Sequence, residues 1–345
     1  MYTYLNIGQN TSFLGLNMTQ QASIKNLLRL TENDMKSVDK HIIKNMKSDV
    51  PLIPQLAGYL ISAGGKRLRP MLAVATAKLC GYTGTHAPLY ATCVEFIHTA
   101  TLLHDDVVDE SNMRRGQDSA NTVWGNQAAV LVGDFLFSRA FQMMSGAGNT
   151  STTQVIADAS ARLAEGEILQ LLTSNNLDTT MEEYLDMIGA KTAVLFAASS
   201  MAGGVLANTD ADKQDALYKF GEYLGVAFQM IDDALDYEGQ ATDMGKNSGD
   251  DFKEGKITLP LLAVLEKANT SEKEFLNRTI SQKDQGDADM EIMQGLIKKY
   301  DAIATTYEMA TLYGAKSKDA LNLFPDSEYK IALCEAVEYA IRRAN

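Results

Sequence analysis

The chain has 345 residues, 46% hydrophobic and 22% charged, with 31 Lys+Arg against 44 Asp+Glu and a formal net charge of −13. That apolar share supports a large folded core and is too high for a disordered chain. The acidic balance excludes a nucleic-acid binder, which carries a basic patch, but not anionic ligands brought in on cations that carboxylates hold.

Met1–Asn17 is polar, Asn-rich and uncharged, unlike a signal peptide with its basic start and apolar stretch. Residues 1–19 are read as a disordered tail, with Met18 as an alternative natural start. From about residue 20 the signals are helical: Ile156, Ala159 and Leu163 recur at i, i+3, i+7, and Leu333, Val337, Ala340 and Ile341 behave alike. The chain has only 6 Pro, which favours long uninterrupted helices. No period-2 strand stands out. Short polar or Gly-containing breaks fall at Ala63–Gly65, Gly81–Ala87, Ser145–Thr153, Asn175–Thr179, Glu238–Gly255, Gln282–Asp289 and Phe324–Ser327. None resembles an interdomain linker, so residues 20–345 are expected to form one all-α domain. No run of 18 apolar residues occurs, so no membrane span is expected. Cys80, Cys93 and Cys334 lie far apart without CxxC spacing, which suits a reducing, cytoplasmic location.

Taken along the chain, the chemistry-bearing motifs begin at Gly64-Gly65-Lys66-Arg67-Leu68-Arg69-Pro70, where three cations follow a glycine pair that permits close backbone approach. In so acidic a chain this cluster reads as an anion clamp, with Arg able to grip phosphate oxygens bidentately. Next comes Asp105-Asp106-Val107-Val108-Asp109, a DDxxD pattern repeated at Asp232-Asp233-Ala234-Leu235-Asp236. On a helix, Asp105 and Asp109 are i and i+4 and share one face, where like charges repel. Phe96, Ala100, Leu103 and Val107 form an apolar stripe, and His98, Thr101, Asp105 and Asp109 a polar one beside it. Gln229, Asp232 and Asp236 repeat the polar geometry. Carboxylate clusters interrupting apolar helices suggest cavity walls, and hard oxygen ligands at this spacing suit Mg²⁺, which shares its shell with substrate phosphates. Arg114-Arg115 follows the first cluster, and Lys246 and Lys256 bracket Asp250-Asp251 after the second, completing a kit for a diphosphate. The four histidines, His41, His86, His98 and His104, show no metal-ligand spacing. His104 and Trp124 read as packed residues and His86 as a loop residue.

With GGKRLRP (64–70), FIHTATLLHDDVVDESNMRRG (96–116), LVGDFLFSRAF (131–141), Lys191-Thr192, FQMIDDALDY (228–237) and GKNSGDDFKEGKITLP (245–260), the chain resembles trans-isoprenyl diphosphate (polyprenyl) synthases of the long-chain octaprenyl/decaprenyl type. The resemblance implies an all-α isoprenoid synthase bundle around a central cavity, usually a homodimer, without nucleic-acid partners. It implies that Asp105, Asp106 and Asp109, facing Asp232, Asp233 and Asp236, hold three Mg²⁺ on an allylic diphosphate. Arg114, Lys191 and Lys256 would contact that diphosphate, with Lys246 beside them. Lys66, Arg69, His98 and Arg115 would bind isopentenyl diphosphate, and Gln229 and Thr192 would sit near the developing cation. The implied reaction is repeated head-to-tail addition of five-carbon units, giving C40–C50 products for a quinone side chain.

Chain length is legible in part. A helix rises ~1.5 Å per residue, so Thr101 and Ala100 lie ~6–7.5 Å below Asp105. Both are small, whereas short-chain members of the family carry bulky aromatics near this depth, so the growing tail is expected to pass deeper here. Competing readings are a shorter-chain farnesyl/geranylgeranyl synthase, a non-catalytic prenyl-diphosphate-binding subunit of a heteromer, and a terpene cyclase. The intact acidic motifs argue against the subunit, and GGKxxRP against the cyclase.

Overall fold

A computed structural model describes residues 23–62, 65–114, 116–238 and 249–342. The expected N-terminal tail, and with it Gly64, Arg115 and Lys246, lies outside the described residues. The first half of the bundle comprises α1 (Lys25–Asn45), α2 (Leu52–Ser62), α3 (Leu68–Leu79), α4 (Ala87–Val108), α5 (Ala120–Trp124), α6 (Asn126–Ala147) and α7 (Thr150–Thr173). The second comprises α8 (Met181–Ile188), α9 (Val194–Leu206), α10 (Ala211–Glu238), α11 (Asp250–Lys253), α12 (Leu259–Lys267), α13 (Thr270–Leu276), α14 (Asp289–Lys299), α15 (Ala302–Ala320) and α16 (Glu328–Arg342). The all-α expectation holds, and the breaks at Gly81–Ala87, Ser145–Thr153, Asn175–Thr179, Gln282–Asp289 and Phe324–Ser327 fall at helix boundaries. Residues 63–64 and 239–248 of the other two lie outside the described residues, and Glu238–Gly255 holds the short helix α11.

Local chemistry accounts for several of those boundaries. Thr180 and Glu183 form a reciprocal capping box at the start of α8, as Asn269 and Glu272 do for α13. The Asn149 side chain accepts from the Thr152 N–H at the start of α7, and Gly148 closes α6 in the left-handed region at φ 72°. One expectation needs amending. Between α4 and α5 a two-residue ladder, β1 (Met113–Arg114) and β2 (Gln117–Asp118), pairs Met113 with Asp118 and Arg114 with Gln117. Two residues are too few for alternation to register in a sequence. The hairpin folds Arg114 back over the end of α4.

The central element is the stretch Met181–Leu206, in which α8 passes through a π-helical turn (Gly189–Ala193) into α9. By length and composition it could cross a membrane, yet 83% of its most apolar window is buried in the bundle. Lys191 interrupts the apolar run, which is why no 18-residue stretch shows in the sequence. Helices α3, α7 and α10 pack around it, and the last two approach through glycines. A Cβ on Gly166 of α7 would stand 2.4 Å from the Lys191 backbone nitrogen, and one on Gly225 of α10 would stand 2.5 Å from the Ala193 Cα. Only glycine admits backbone this close to the π turn.

Gly225→Ala therefore forces two helices apart at a packed contact, a type of overpacking that costs ~1–3 kcal/mol. A fall of several degrees in the thermal unfolding midpoint, followed by circular dichroism, is expected. An unchanged midpoint would show that the contact relaxes freely.

Candidate active site

The two acidic motifs stand at the C-terminal ends of α4 and α10, with Asp109 itself the C-cap of α4. Helix C-termini carry the negative end of the backbone dipole, so carboxylates there are disfavoured twice, by the dipole and by one another. The bundle does not treat the six aspartates alike. Asp105 and Asp109 are half-buried along the polar stripe with His98 and Thr101, whereas Asp106 is fully buried and Asp233 is 2% exposed.

Each buried aspartate has its own holder. Arg114, from the hairpin, places Nε at 2.7 Å and Nη2 at 2.6 Å from Asp106 Oδ1. Asp233 receives Tyr184 Oη–H on Oδ2 at 2.6 Å and Gln229 Nε2–H on Oδ1 at 2.9 Å. Gln229 Oε1 in turn accepts from the Thr192 hydroxyl at 2.8 Å. Burial, reinforced by the nearby Asp251 charge, pushes Asp233 up to about 7 against the lowering effect of those two donors. Burial and the Asp233 charge hold the Tyr184 phenol well above its ordinary value, so the proton of this pair stays on oxygen of the tyrosine.

The cations expected around the diphosphate are also tethered. Lys191 bonds Glu167 Oε2 at 2.6 Å, and Lys256 lies 3.0 Å from Asp109 Oδ2 and 2.5 Å from Glu254 Oε2. Burial disfavours the charged Lys256, but Asp251, Asp109 and Glu254 outweigh it and raise its pKa. Glu167 is pushed up to about 7 by burial and then by the Asp105 charge, with Lys191 opposing. Asp105 is likewise raised by burial and by Asp109, against Lys191, Arg114 and Lys256. Adjacent residues of the π turn thus serve both motifs: the Lys191 charge acts on Asp105 while Thr192 reaches Gln229 beside Asp233. On the far side, the Asp251 N–H donates to Asp236 Oδ2 at 3.1 Å.

The clamp motif forms a second group. Arg69 stacks its guanidinium 4.1 Å above the Phe196 ring, with Nη1 3.3 Å from His98 Nε2. Lys66 Nζ lies 4.8 Å from the Tyr339 ring centroid. These aromatic faces orient the two cations. Arg67, at φ 45°, turns instead to an ion pair with Asp39 on α1. Below the first motif, Ala100 is fully buried in the core, while half-buried Thr101 donates its hydroxyl to the His98 carbonyl at 2.9 Å. His104 is half-buried and hydrogen-bonded, with Nε2 3.2 Å from the Val130 carbonyl.

Sequence reasoning missed Glu167, Tyr184 and Glu254. Glu167 and Tyr184 stand alone on long helices and belong to no local pattern, so only their tertiary partners reveal them.

The donor set fits hard divalent cations: partly exposed carboxylates crowd two helix C-termini, and burial together with the Asp109 charge raises the Asp105 pKa. Among the described residues no three His, Cys, Asp or Glu side chains close into a ready-made metal cage.

Removing one partner of a buried ion pair strands the other. Arg114→Ala is expected to cost ~3–5 kcal/mol by chemical denaturation, with Arg114→Lys intermediate because an ammonium cannot present two aligned N–H groups. A loss below ~1 kcal/mol would mean that Asp106 finds another donor. The raised carboxylates also set a pH dependence. Folded Glu167 and Asp233 hold protons up to about 7 that the unfolded chain releases near 4.5 and 3.8. Their contribution to stability is therefore full below those unfolded values and lost as pH rises through about 7. The metal-free protein should lose thermal stability over that range, and millimolar Mg²⁺ should restore more of it above the window than below. Equal Mg²⁺ stabilisation at both ends would refute the carboxylate site.

The family model for polyprenyl synthetase matches residues 50–297. The chain is 43% identical over 321 residues to octaprenyl diphosphate synthase of Escherichia coli (strain K12), covering 93% of this chain and 99% of that one. It is 37% identical over 320 residues to all-trans-nonaprenyl-diphosphate synthase (geranyl-diphosphate specific) of Rhodobacter capsulatus, covering 92% and 98%. Among solved structures, polyprenyl synthase from Caulobacter crescentus CB15, complexed with calcium and isoprenyl diphosphate, superposes with a TM-score of 0.91 at 48% identity, covering 93% of this chain and 98% of that one. Decaprenyl diphosphate synthase from Rhodobacter capsulatus gives 0.90 at 43%, covering 94% and 100%. With its two acidic helix ends, tethered cations and aromatic-stacked clamp, the chain belongs to the polyprenyl synthetase family and is a prenyltransferase.

Proposed function

We propose that this site condenses isopentenyl diphosphate head-to-tail onto an allylic diphosphate in a Mg²⁺-dependent cycle that stops at C40–C50. The enzyme is a long-chain all-trans polyprenyl diphosphate synthase, in keeping with its octaprenyl, nonaprenyl and decaprenyl relatives. One observation carries the mechanism: Lys191 and Thr192, neighbours on one π turn, link the two acidic helix ends, Lys191 through its charge on Asp105 and Thr192 through Gln229 to Asp233.

Asp105, Asp109, Asp232 and Asp236 are the ligands proposed for three Mg²⁺, with buried Asp106 and Asp233 fixing the helix ends behind them. Bound Mg²⁺ supplies neutralisation of the leaving diphosphate. Arg114, Lys191 and Lys256, with Lys246, add fixed positive charge at the same group, which lowers the barrier to C–O ionisation. Lys66, Arg69, His98 and Arg115 hold isopentenyl diphosphate, whose double bond attacks the allylic cation. Gln229 Oε1 and the Thr192 hydroxyl lie beside that cation. Among the described residues no side chain is assigned the role of general base, and the released diphosphate takes the proton. Apolar walls exclude the water that would quench the cation. Small residues at Ala100 and Thr101 let the tail descend, and Thr101, half-buried on the same stripe as Asp105, is the better-placed gate. The product would serve as a quinone side chain, made by an enzyme located in the cytoplasm. Leu131 on α6 and Ile168, Leu171 and Leu172 on α7 are 58–69% exposed, which supports burial against a second copy in a homodimer.

Incubation with Mg²⁺, farnesyl diphosphate and isopentenyl diphosphate, with product lengths read by mass spectrometry, tests the whole reading. C40–C50 products are expected from the wild type. Asp105→Ala and Asp232→Ala should cut turnover by orders of magnitude with helical circular dichroism intact, and Thr101→Phe should shorten the product. A C15–C20 product from the wild type, retained activity in either Asp variant, or an unshortened Thr101→Phe product would each overturn the corresponding part.

A further inference from the structure

Tyr184 lies on α8, fully buried, and no role in substrate or metal binding has been assigned to it. Its hydroxyl nevertheless starts a directed chain. It donates to Asp233 Oδ2 at 2.6 Å, Gln229 Nε2 donates to Asp233 Oδ1 at 2.9 Å, and the Thr192 hydroxyl donates to Gln229 Oε1 at 2.8 Å. An amide's two ends differ only in hydrogen-bonding sense, so its partners decide which way it points. Both Asp233 oxygens accept here, Oδ2 from Tyr184 and Oδ1 from Gln229. Asp233 therefore draws the Gln229 NH₂ toward itself and leaves the carbonyl oxygen on the opposite side, beside Thr192.

We propose that Tyr184 is a positioning residue for prenyl transfer, acting through Asp233 to fix Gln229 with its carbonyl oxygen toward the reacting carbon. The proposal rests on the reading of the site given above. The reversed amide would present N–H groups, with their positive ends, to a developing carbocation, whereas the carbonyl presents the negative end of its dipole. Without the tyrosine O–H, Asp233 loses its second buried donor and can rotate. The Gln229 carbonyl oxygen is then held in place by the Thr192 hydroxyl alone.

The test is a double-mutant cycle on the full chain with Mg²⁺, farnesyl diphosphate and isopentenyl diphosphate. Tyr184→Phe removes one buried hydroxyl and keeps the ring. It is expected to lower kcat about tenfold, the rate equivalent of one lost buried hydrogen bond, with KM for isopentenyl diphosphate changed less than about twofold. In a Gln229→Leu background, where there is no amide to orient, the same substitution should cost less than about twofold. An equal loss in both backgrounds, or an unchanged kcat in Tyr184→Phe alone, would overturn the proposal. A second arm leaves Tyr184 in place, in case its replacement unfolds the chain. In Asp233→Asn the Tyr184 O–H keeps the carbonyl oxygen on its own side, which turns the NH₂ toward Gln229 and reverses its amide, so kcat should fall. The swap Asp233→Asn with Gln229→Glu restores an acceptor beside Thr192 and should recover activity, while a swap no better than Asp233→Asn would overturn the proposal. An inactive wild type would sink the reading of the site. An active wild type with an additive cycle sinks the role of Tyr184 alone.

Discussion

Everything about this bundle follows from keeping many carboxylates close together inside an apolar framework. Two like charges ~5 Å apart at an effective dielectric of ~20 repel by ~3 kcal/mol, and the helix C-termini that carry them add to the cost. The chain meets this by pairing: Arg114 with Asp106, Lys191 with Glu167, Lys256 with Asp109 and Glu254. The pairing is incomplete, since Asp105, Glu167 and Asp233 still have raised pKa values. An apolar bundle that tolerates such residual repulsion is poised for cations to relieve it.

The π turn at Gly189–Ala193 is the second structural commitment. It places Lys191 against Glu167 and Thr192 against Gln229, two consecutive side chains serving two different helices. Consecutive side chains already diverge by ~100° on a regular helix, and the π bulge resets the register of the helix that carries them. Gly166 and Gly225 admit α7 and α10 to that turn, so two positions without side chains govern where four functional ones stand.

Much of this was legible in the sequence. The breaks marked the helices because Gly and polar runs end helices for local reasons, and the stripe of His98, Thr101, Asp105 and Asp109 came out half-buried beside fully buried Phe96, Ala100 and Leu103. The hairpin at Met113–Asp118 was not legible, since two-residue strands carry no period, nor was the π turn, which has no compositional mark. Glu167 and Tyr184 were hidden for a different reason. Their meaning lies wholly in partners 24 and 49 residues away, and no one-dimensional spacing encodes such a distance.

The aspartate motifs show how spacing can be read further than it was. In DDxxD the first and last residues are i and i+4 and share a face, but the middle one is turned ~100° away from the first. If the shared face lines a cavity, the middle residue must enter the helix packing. An aspartate there requires a buried donor, because an unpaired charge in that position is prohibitive. The structure supplies Arg114 in one motif and Tyr184 with Gln229 in the other. The two solutions differ in charge: Asp106 is answered by a cation, Asp233 by neutral donors only among the contacts seen. The same five-residue pattern therefore encodes a locked helix end twice, once through an ion pair and once through a polarised chain that ends at Thr192.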